Sequence, residues 1–369
     1  MSLEPPGGPL LASVVPVPDL PLTEPAMHLA ARLENRLIGW RSERARSRGY
    51  VPLVIPYTGY GGQGWIRVLG RVMLNRGMHR ITGEPIGARG WRSFTSVPVQ
   101  SAQVEVEVGG QTTVVTADRS GLVDAVVDVD LTPGWHRVEY RAENSEPTFG
   151  RVFVVDPATR FGLVSDIDDT VMVTALPRPL LAAWHTFVVN EHARTTTPGM
   201  PVLYERLTDT HAGTPVVYLS TGAWNVAPTL TRFLSRNLYP AGTLLLTDWG
   251  PTPDAWFRDG TRHKREALER LAREFPDMRW LLVGDDGQHD PETYGNFCER
   301  HPDQVVAVCI RQLTPGEAVL AGSGNRQQHV RRDGSDVPWF YGYDGAGLAE
   351  QLEAAGLLGD SPQQPEVEA

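Results

Sequence analysis

The sequence predicts an α/β fold: a doubly wound parallel, Rossmann-like sheet with a small cap insertion, preceded by an N-terminal helix and a small antiparallel β-sandwich domain. From residue 160 onward, short apolar runs alternate with amphipathic helical patterns, as in parallel sheets covered by helices. Between residues 50 and 155, short alternating strands are separated by turn residues, as in a sandwich. The 369 residues, 41% of them apolar, suffice for two buried cores.

The chain is predicted to have five parts. They are a Pro-rich flexible N-terminus (1–24), a basic amphipathic helix (25–48), a β-sandwich-like domain (50–157), an α/β domain (158–345), and a C-terminal helix with a disordered acidic tail (346–369). Leucines at three- to four-residue spacing indicate the first helix. Its arginines would contact an anionic membrane surface or simply face solvent, and the sequence leaves both interpretations open.

Two glycine-containing segments of the β-rich region predict turns. Val104, Val106 and Val108 alternate with polar residues, and Gly109-Gly110 then separates them from a second strand, which predicts a hairpin. Gly59–Gly64 (GYGGQG) has the glycine spacing of a phosphate loop, but no strand-then-helix context surrounds it. A structural turn is therefore the better interpretation of that segment.

Composition excludes several classes of protein. Residues 1–157 carry 16 basic and 16 acidic side chains and the remainder 18 and 28, so the net charge of −10 falls wholly in the second part. This charge argues against a nucleic-acid partner. No run approaches the roughly 18 apolar residues of a spanning helix, and no signal peptide is recognisable. Cys298 and Cys309 give neither a disulfide framework nor a zinc spacing, and a cytoplasmic location is predicted.

The ends of the predicted parallel strands carry the candidate chemistry, because such sheets bind ligands beyond the carboxyl ends of their strands. The first strand ends in Asp166-Ile-Asp168-Asp169-Thr170. Crowded carboxylates repel one another unless a cation compensates, and Mg²⁺ held by carboxylate oxygens is the natural solution. Asp166 and Asp168 lie two residues apart and project to the same side of an extended chain. One would attack phosphorus while the other transfers protons.

Three further motifs follow in order. Ser220-Thr221-Gly222 ends the second strand, where a hydroxyl and free amides suit a phosphate oxygen. The fourth strand ends in Gly284-Asp285-Asp286 with Asp290 shortly after, which adds carboxylates at the same edge. Lys264, the one lysine of the chain, is predicted to open the preceding helix, where its ammonium would balance phosphoryl charge. Each motif alone is ordinary, but together in this order they indicate phosphoryl transfer.

This set of motifs resembles the haloacid-dehalogenase superfamily of phosphatases. The matching positions are DIDDT (166–170), Ser220 after VVYL, Lys264 and the GDxxxxD pattern (284–290). Within that superfamily, longer segments are similar to the actin-patch type of Mg²⁺-dependent phosphatidate phosphatase. Those segments are SDIDDTVMVT (165–174), PGMPVLYERL (198–207), YLSTGAW (218–224) and GDDGQHDPETY (284–294). The resemblance spans about residues 160–310 and implies a phosphatase domain there.

The resemblance also implies a role for each matching residue. Asp166 would be the nucleophile and a Mg²⁺ ligand, and Asp168 the general acid/base, with its carbonyl on the metal. Asp169 would orient the loop, and Asp286 would compete with Asp290 for the last place in the metal shell. The predicted sites are catalytic Asp166, Asp168 and Lys264; phosphate-binding Thr170, Ser220, Thr221 and Lys264; and metal-binding Asp166, Asp168, Asp285 and Asp290.

The predicted function is a Mg²⁺-dependent phosphatidate phosphatase that forms an aspartyl-phosphate and releases diacylglycerol and phosphate. Its partner would be phosphatidate at a membrane surface, with the protein cytoplasmic or peripheral at the inner membrane surface. Residues 171–198 carry an apolar stripe that would form a cap over the site or pack on the core. Two alternatives stay open: the same chemistry on a soluble phosphomonoester, and a non-enzymatic binding scaffold. The sequence predicts neither the oligomeric state nor the role of the β-rich domain.

Overall fold

A computed structural model describes most of the chain. The described residues are 44, 47–76, 97–173, 195–247, 253–287, 289–314, 317 and 336–359. Nearly all of the predicted basic helix (25–48), the flexible N-terminus, the apolar stripe of the cap segment and the acidic tail lie outside them. The described residues form a seven-stranded sheet, a six-stranded sheet and a two-stranded ribbon.

The seven-stranded sheet occupies the N-terminal part. Its strands are β1 (Tyr50–Gly62), β2 (Trp65–Arg76), β3 (Gln103–Val108), β4 (Gln111–Thr116), β5 (Leu122–Asp128), β6 (Gly134–Ala142) and β7 (Thr148–Val154). They lie in the order β4-β3-β6-β7-β1-β2-β5. β1 pairs with β7 in parallel and the other pairs are antiparallel. The end strands β4 and β5 contact each other, so the sheet is nearly barrel-shaped.

Both predicted turns of this region are present. β3 and β4 form a hairpin in which Val104, Val106 and Val108 are buried while their neighbours are exposed. Gly109 and Gly110 have φ of 59° and 78°, and two left-handed residues are what a tight hairpin turn requires. The glycine-rich segment at residues 59–64 ends β1 and turns into β2, where Gly62 pairs with Trp65. It is therefore a structural turn, as predicted.

The second sheet is parallel. Its strands are β8 (Phe161–Asp166), β11 (Val216–Ala223), β12 (Thr243–Thr247), β13 (Arg279–Asp285), β14 (Val305–Arg311) and β15 (Trp339–Gly342), in the order β12-β11-β8-β13-β14-β15. A ribbon of β9 (Met172–Val173) and β10 (Thr195–Thr196) follows β8. The helices are α1 (Met200–Thr210), α2 (Ala227–Arg236), α3 (Pro253–Glu274), α4 (Asp290–Arg300) and α5 (Gly345–Ala354). Within the described ranges, no helix is long and apolar enough to cross a membrane.

The fold class predicted from the sequence is wrong. The N-terminal sheet is mixed and nearly barrel-shaped, whereas an antiparallel sandwich was expected. The described residues are mostly strands with few helices, so the chain is not a helix-rich, Rossmann-like fold. The physical reason is that hydrophobic alternation locates strands without encoding their partners, and the parallel β1–β7 pair joins segments distant in sequence. The predicted five-part division stays a prediction.

A polar cluster joins the two sheets, next to an apolar core to which both sheets contribute residues. Glu274, at the end of α3, accepts hydrogen bonds from the Tyr60 hydroxyl at 2.6 Å and from Arg67 Nε at 3.1 Å. Arg67 and Arg270 both contact Asp124 of β5, at 2.5 and 2.9 Å. These side chains are largely shielded, and the guanidinium of Arg67 bridges Asp124 of the seven-stranded sheet and Glu274 of helix α3. Such charge-assisted bonds fix the relative position of the two sheets.

Replacement of Arg67 by Met tests this cluster. We expect Arg67→Met to lower the free energy of unfolding by about 1–3 kcal/mol, because it leaves Glu274 and Asp124 partly buried without their guanidinium. The matched control is Arg141→Met, which breaks a more exposed pair with Glu139 and should cost about 0–1 kcal/mol. Urea unfolding of both variants provides the measurement. Equal losses of unfolding free energy in the two variants would contradict the proposed role of this polar cluster in joining the two sheets.

Candidate active site

The carboxyl ends of neighbouring parallel strands bring three predicted acids together. Asp166 ends β8, Asp285 ends the adjacent strand β13, and Asp290 begins α4 directly after it. All three are at least 99% buried. One carboxylate oxygen from each lies within 4.8 Å of the others. The parallel register therefore creates the acidic cluster, because it aligns strand ends that are more than a hundred residues apart.

Lys264 lies at the centre of this cluster. Its Nζ is 2.6 Å from Oδ1 of Asp166 and 2.6 Å from Oδ1 of Asp290. The side chain is 4% exposed, so solvent screens these pairs very little. The lysine lies in the middle of α3 and does not open the helix as predicted. Its position at the site is nevertheless the one that the sequence indicates.

The second acid of the first motif contacts the predicted phosphate loop. Ser220 Oγ donates a hydrogen bond to Asp168 Oδ2 at 3.0 Å, and the Gly222 amide donates to Ser220 Oγ at 2.9 Å. Thr170 is fully buried, and Thr221 is half-buried in β11. Asp166 thus faces the lysine while Asp168 faces the serine. The two acids occupy different electrostatic surroundings, as two different catalytic roles require.

Gly284 explains why the strand β13 and the helix α4 can approach each other. A Cβ at this position would lie 2.6 Å from Oδ2 of Asp290 and 2.8 Å from Cε2 of Tyr294. Any side chain would therefore displace Asp290 from the cluster. The glycine of the GDxxxxD pattern is a packing requirement of the acidic site.

The cluster carries more negative charge than its single cation balances. Among the described residues, Asp166, Asp285 and Asp290 are three carboxylates against the one ammonium of Lys264, a formal charge of −2. Burial raises the pKa of Asp166 and of Asp285 well above the usual range, Lys264 opposes this shift, and neighbouring carboxylates reinforce it. Burial alone lowers the pKa of Lys264, but Asp166 and Asp290 outweigh it and raise the pKa. The lysine is therefore charged and the site favours further positive charge.

The residues present fit a hard divalent cation. Oδ2 of Asp166 and Oδ2 of Asp285 are buried and accept no hydrogen bond from the described part of the chain. Buried carboxylate oxygens with unused lone pairs are the ligands that Mg²⁺ takes. Asp290 has both oxygens engaged, one with Lys264 and the other with the Asp285 amide at 3.3 Å. Asp286 instead accepts from the Leu313 amide at 2.8 Å and lies outside the oxygen cluster.

Sequence reasoning missed Arg311, the last residue of β14. Its side chain is 2% exposed and its Nη1 donates to the carbonyl of Asp169 at 2.7 Å, while Nη2 pairs with Glu317 at 2.7 Å. Its own carbonyl accepts from the Asp286 amide at 3.0 Å. Arg311 therefore contacts both the segment that follows β8, at Asp169, and the segment that follows β13, at Asp286. The signal was available, since a charged residue ends the apolar run VVAVCIR just as Asp166 and Asp285 end theirs.

Comparison with known proteins concerns the segment that contains this site. Residues 161–312 match the family model for "Phosphatidate phosphatase APP1, catalytic domain". This segment is APP1-like. It is 26% identical over 151 residues to phosphatidate phosphatase APP1 of Saccharomyces cerevisiae, which covers 41% of this chain and 25% of the yeast protein. It is also 24% identical over 152 residues to an uncharacterized protein of Schizosaccharomyces pombe, again 41% and 25% of the two chains. The predicted resemblance to the actin-patch type of phosphatidate phosphatase is confirmed for this segment.

The matches leave most of the relatives' length unmatched. The chain spans about a quarter of each of the two curated relatives, so only the APP1-like segment is comparable. Among solved structures, a carbohydrate acetylesterase from Xanthomonas citri aligns with 71% of this chain and 68% of its own. Its TM-score is 0.27 at 10% sequence identity, which supports neither a shared fold nor a shared function.

The charge imbalance predicts a metal-dependent stability. In chelator, Asp285→Asn should unfold at a higher temperature than the wild type, because one poorly compensated buried charge is removed. Mg²⁺ at about 100 times its dissociation constant should stabilise the wild type by about 2.7 kcal/mol and the variant by much less. Thermal unfolding with and without Mg²⁺ measures both effects.

The control for this prediction is Asp286→Asn, the neighbouring residue outside the oxygen cluster. It should keep the full Mg²⁺-dependent rise in unfolding temperature. An equal rise in wild type and Asp285→Asn would show that Asp285 does not hold the ion.

Proposed function

We propose that the chain is a Mg²⁺-dependent phosphatidate phosphatase that works through an aspartyl-phosphate, with the chemistry of the haloacid-dehalogenase superfamily. The observation that carries this proposal is the placement of Lys264 between Asp166 and Asp290, beside the Ser220–Asp168 hydrogen bond. This arrangement gives a nucleophile, a proton donor and a phosphate-binding loop at one sheet edge. The similarity to the yeast phosphatidate phosphatase supports phosphatidate as the substrate.

In the first proposed step, a carboxylate oxygen of Asp166 attacks the phosphorus atom and the bond to the ester oxygen breaks. Asp168 gives its proton to the leaving oxygen, which departs as the alcohol. In the second step, Asp168 takes a proton from water, the water oxygen bonds to phosphorus, and the bond between phosphorus and the Asp166 oxygen breaks, which regenerates the Asp166 carboxylate and releases inorganic phosphate. A bound Mg²⁺ would lower the charge repulsion between Asp166 and the phosphoryl oxygens.

The remaining residues of the site position the phosphoryl group. Lys264 holds Asp166 in place through a 2.6 Å contact and neutralises charge that builds on the phosphoryl oxygens. The Ser220 hydroxyl and nearby amides would bind one of those oxygens, and the hydrogen bond from Ser220 orients Asp168. Because the diacylglycerol product stays in a bilayer, we propose that the protein acts as a peripheral enzyme at a membrane surface.

Phosphate release tests this proposal directly. The substrates are phosphatidate in phosphatidylcholine vesicles and a panel of soluble phosphomonoesters, each with Mg²⁺ and with chelator. We expect Mg²⁺-dependent release from vesicles, and a loss of about a thousandfold or more in Asp166→Asn, because the nucleophile is gone. Release from soluble esters alone would replace the lipid substrate by a soluble one. No release from any substrate would favour a binding scaffold.

The buried position of Lys264 gives a second prediction. Lys264→Arg should reduce turnover by about 100-fold, since a wider planar guanidinium cannot contact Asp166 and Asp290 as a compact ammonium does. The matched control is Arg265→Lys, the next residue on α3, whose side chain is exposed and should tolerate the exchange. Steady-state turnover of both variants is the measurement. Near-normal turnover of Lys264→Arg would refute the proposed role of its ammonium.

A further inference from the structure

The loop that is proposed to bind phosphate leaves the regular sheet. β11 and β12 pair in register up to Leu219–Leu245 and resume at Ala223–Thr247, so three residues on β11 face one on β12. The irregularity falls on Ser220, Thr221 and Gly222. A bulge of this kind interrupts the ladder with β12, and within it the Gly222 amide donates to Ser220 Oγ at 2.9 Å. It also removes the hydrogen bonds that would otherwise hold the loop in place.

Two side chains replace the missing support, and one of them comes from the other sheet. Thr247 Oγ1, at the end of β12, lies 2.8 Å from the Thr221 carbonyl and 3.2 Å from the Gly222 carbonyl, and donates to them. On the far side, the Tyr57 hydroxyl of β1 donates to the Trp224 carbonyl at 3.1 Å. The Tyr57 ring also stacks on Trp224, with centroids 4.8 Å apart and planes inclined by 18°.

A second bulge turns β1 toward this contact. The register of β1 against β2 shifts between Tyr57 and Tyr60, so both tyrosines contact the parallel-sheet unit although they lie three residues apart. Tyr57 is 7% exposed and Trp224 4% exposed, so their hydrogen bond is shielded from water. Tyr60 donates instead to Glu274, at the end of α3 and away from the loop.

We propose that Tyr57 is a positioning residue for phosphate binding, and that the N-terminal sheet thereby forms part of the catalytic unit. Tyr57 fixes Trp224, and Trp224 fixes the conformation of residues 220–223, which include Ser220 and the Gly222 amide that donates to its hydroxyl. The role of the loop rests on the proposed function. The β-rich region, for which the sequence predicts no role, would then set the affinity of the site for a phosphoryl group.

Tyr57 and Tyr60 provide a matched pair of variants. Both lie on β1, both are buried, and both donate a hydroxyl hydrogen bond across the same interface. Tyr57→Phe should weaken the binding of inorganic phosphate, in the presence of Mg²⁺, by about 3- to 10-fold, the range expected for one buried hydrogen bond. Tyr60→Phe should lower the unfolding temperature while phosphate affinity stays within twofold of the wild type. Titration calorimetry well below both unfolding temperatures gives the affinities.

A second pair of measurements separates positioning from general destabilisation. Thr247→Val removes the other support of the same loop and should weaken phosphate binding as Tyr57→Phe does. If the wild type has phosphatase activity, Tyr57→Phe and Thr247→Val should each raise KM and the inhibition constant of phosphate by the same factor. Equal phosphate affinity in Tyr57→Phe and Tyr60→Phe, or no phosphate binding by the wild type, would overturn the inference. Absence of turnover with intact phosphate binding would refute the proposed function and leave this inference standing.

Discussion

The buried contact of Lys264 with Asp166 and Asp290 is the interaction on which the site depends. Removing carboxylates from water is costly unless a nearby cation compensates. Here one ammonium serves Asp166 and Asp290, while Asp285 forms no ion pair with the described part of the chain. Such a cluster is stable only when the surrounding structure holds it rigidly or when a further cation binds. The elements of the parallel sheet around the cluster hold its acids in place.

Three elements outside the acids themselves provide that rigidity. Arg311 links the two acidic turns, through its side chain to Asp169 and through its carbonyl to Asp286. Gly284 lets α4 lie against β13 closely enough for Asp290 to reach the lysine. The N-terminal sheet contacts the loop after β11 from the opposite side, through Tyr57. The site is thus supported from the strand ends, from a helix start and from the other sheet.

The prediction of the site residues and the prediction of the fold class rest on different features of the sequence. Asp166, Ser220 and Asp285 could be found because each ends or directly follows an apolar run, and Lys264 because it is the one lysine of the chain. The fold class was wrong because strand periodicity does not specify how a sheet closes or which strands pair in parallel. Arg311 was missed although a charged residue ends the apolar run VVAVCIR, because its contacts with the Asp169 carbonyl and the Asp286 amide join segments that are distant in sequence.

The sequence by itself determined where the strands of the parallel sheet end and which reactive groups stand there, since both follow from residue type and local order. Only the tertiary structure decided that Lys264 contacts two acids at once from the middle of α3. It also decided that Trp224, which directly follows the bulged strand β11, contacts Tyr57 of the other sheet. These contacts join residues up to 167 positions apart, and such distances are set by sheet pairing and side-chain packing. No local pattern in the chain encodes them.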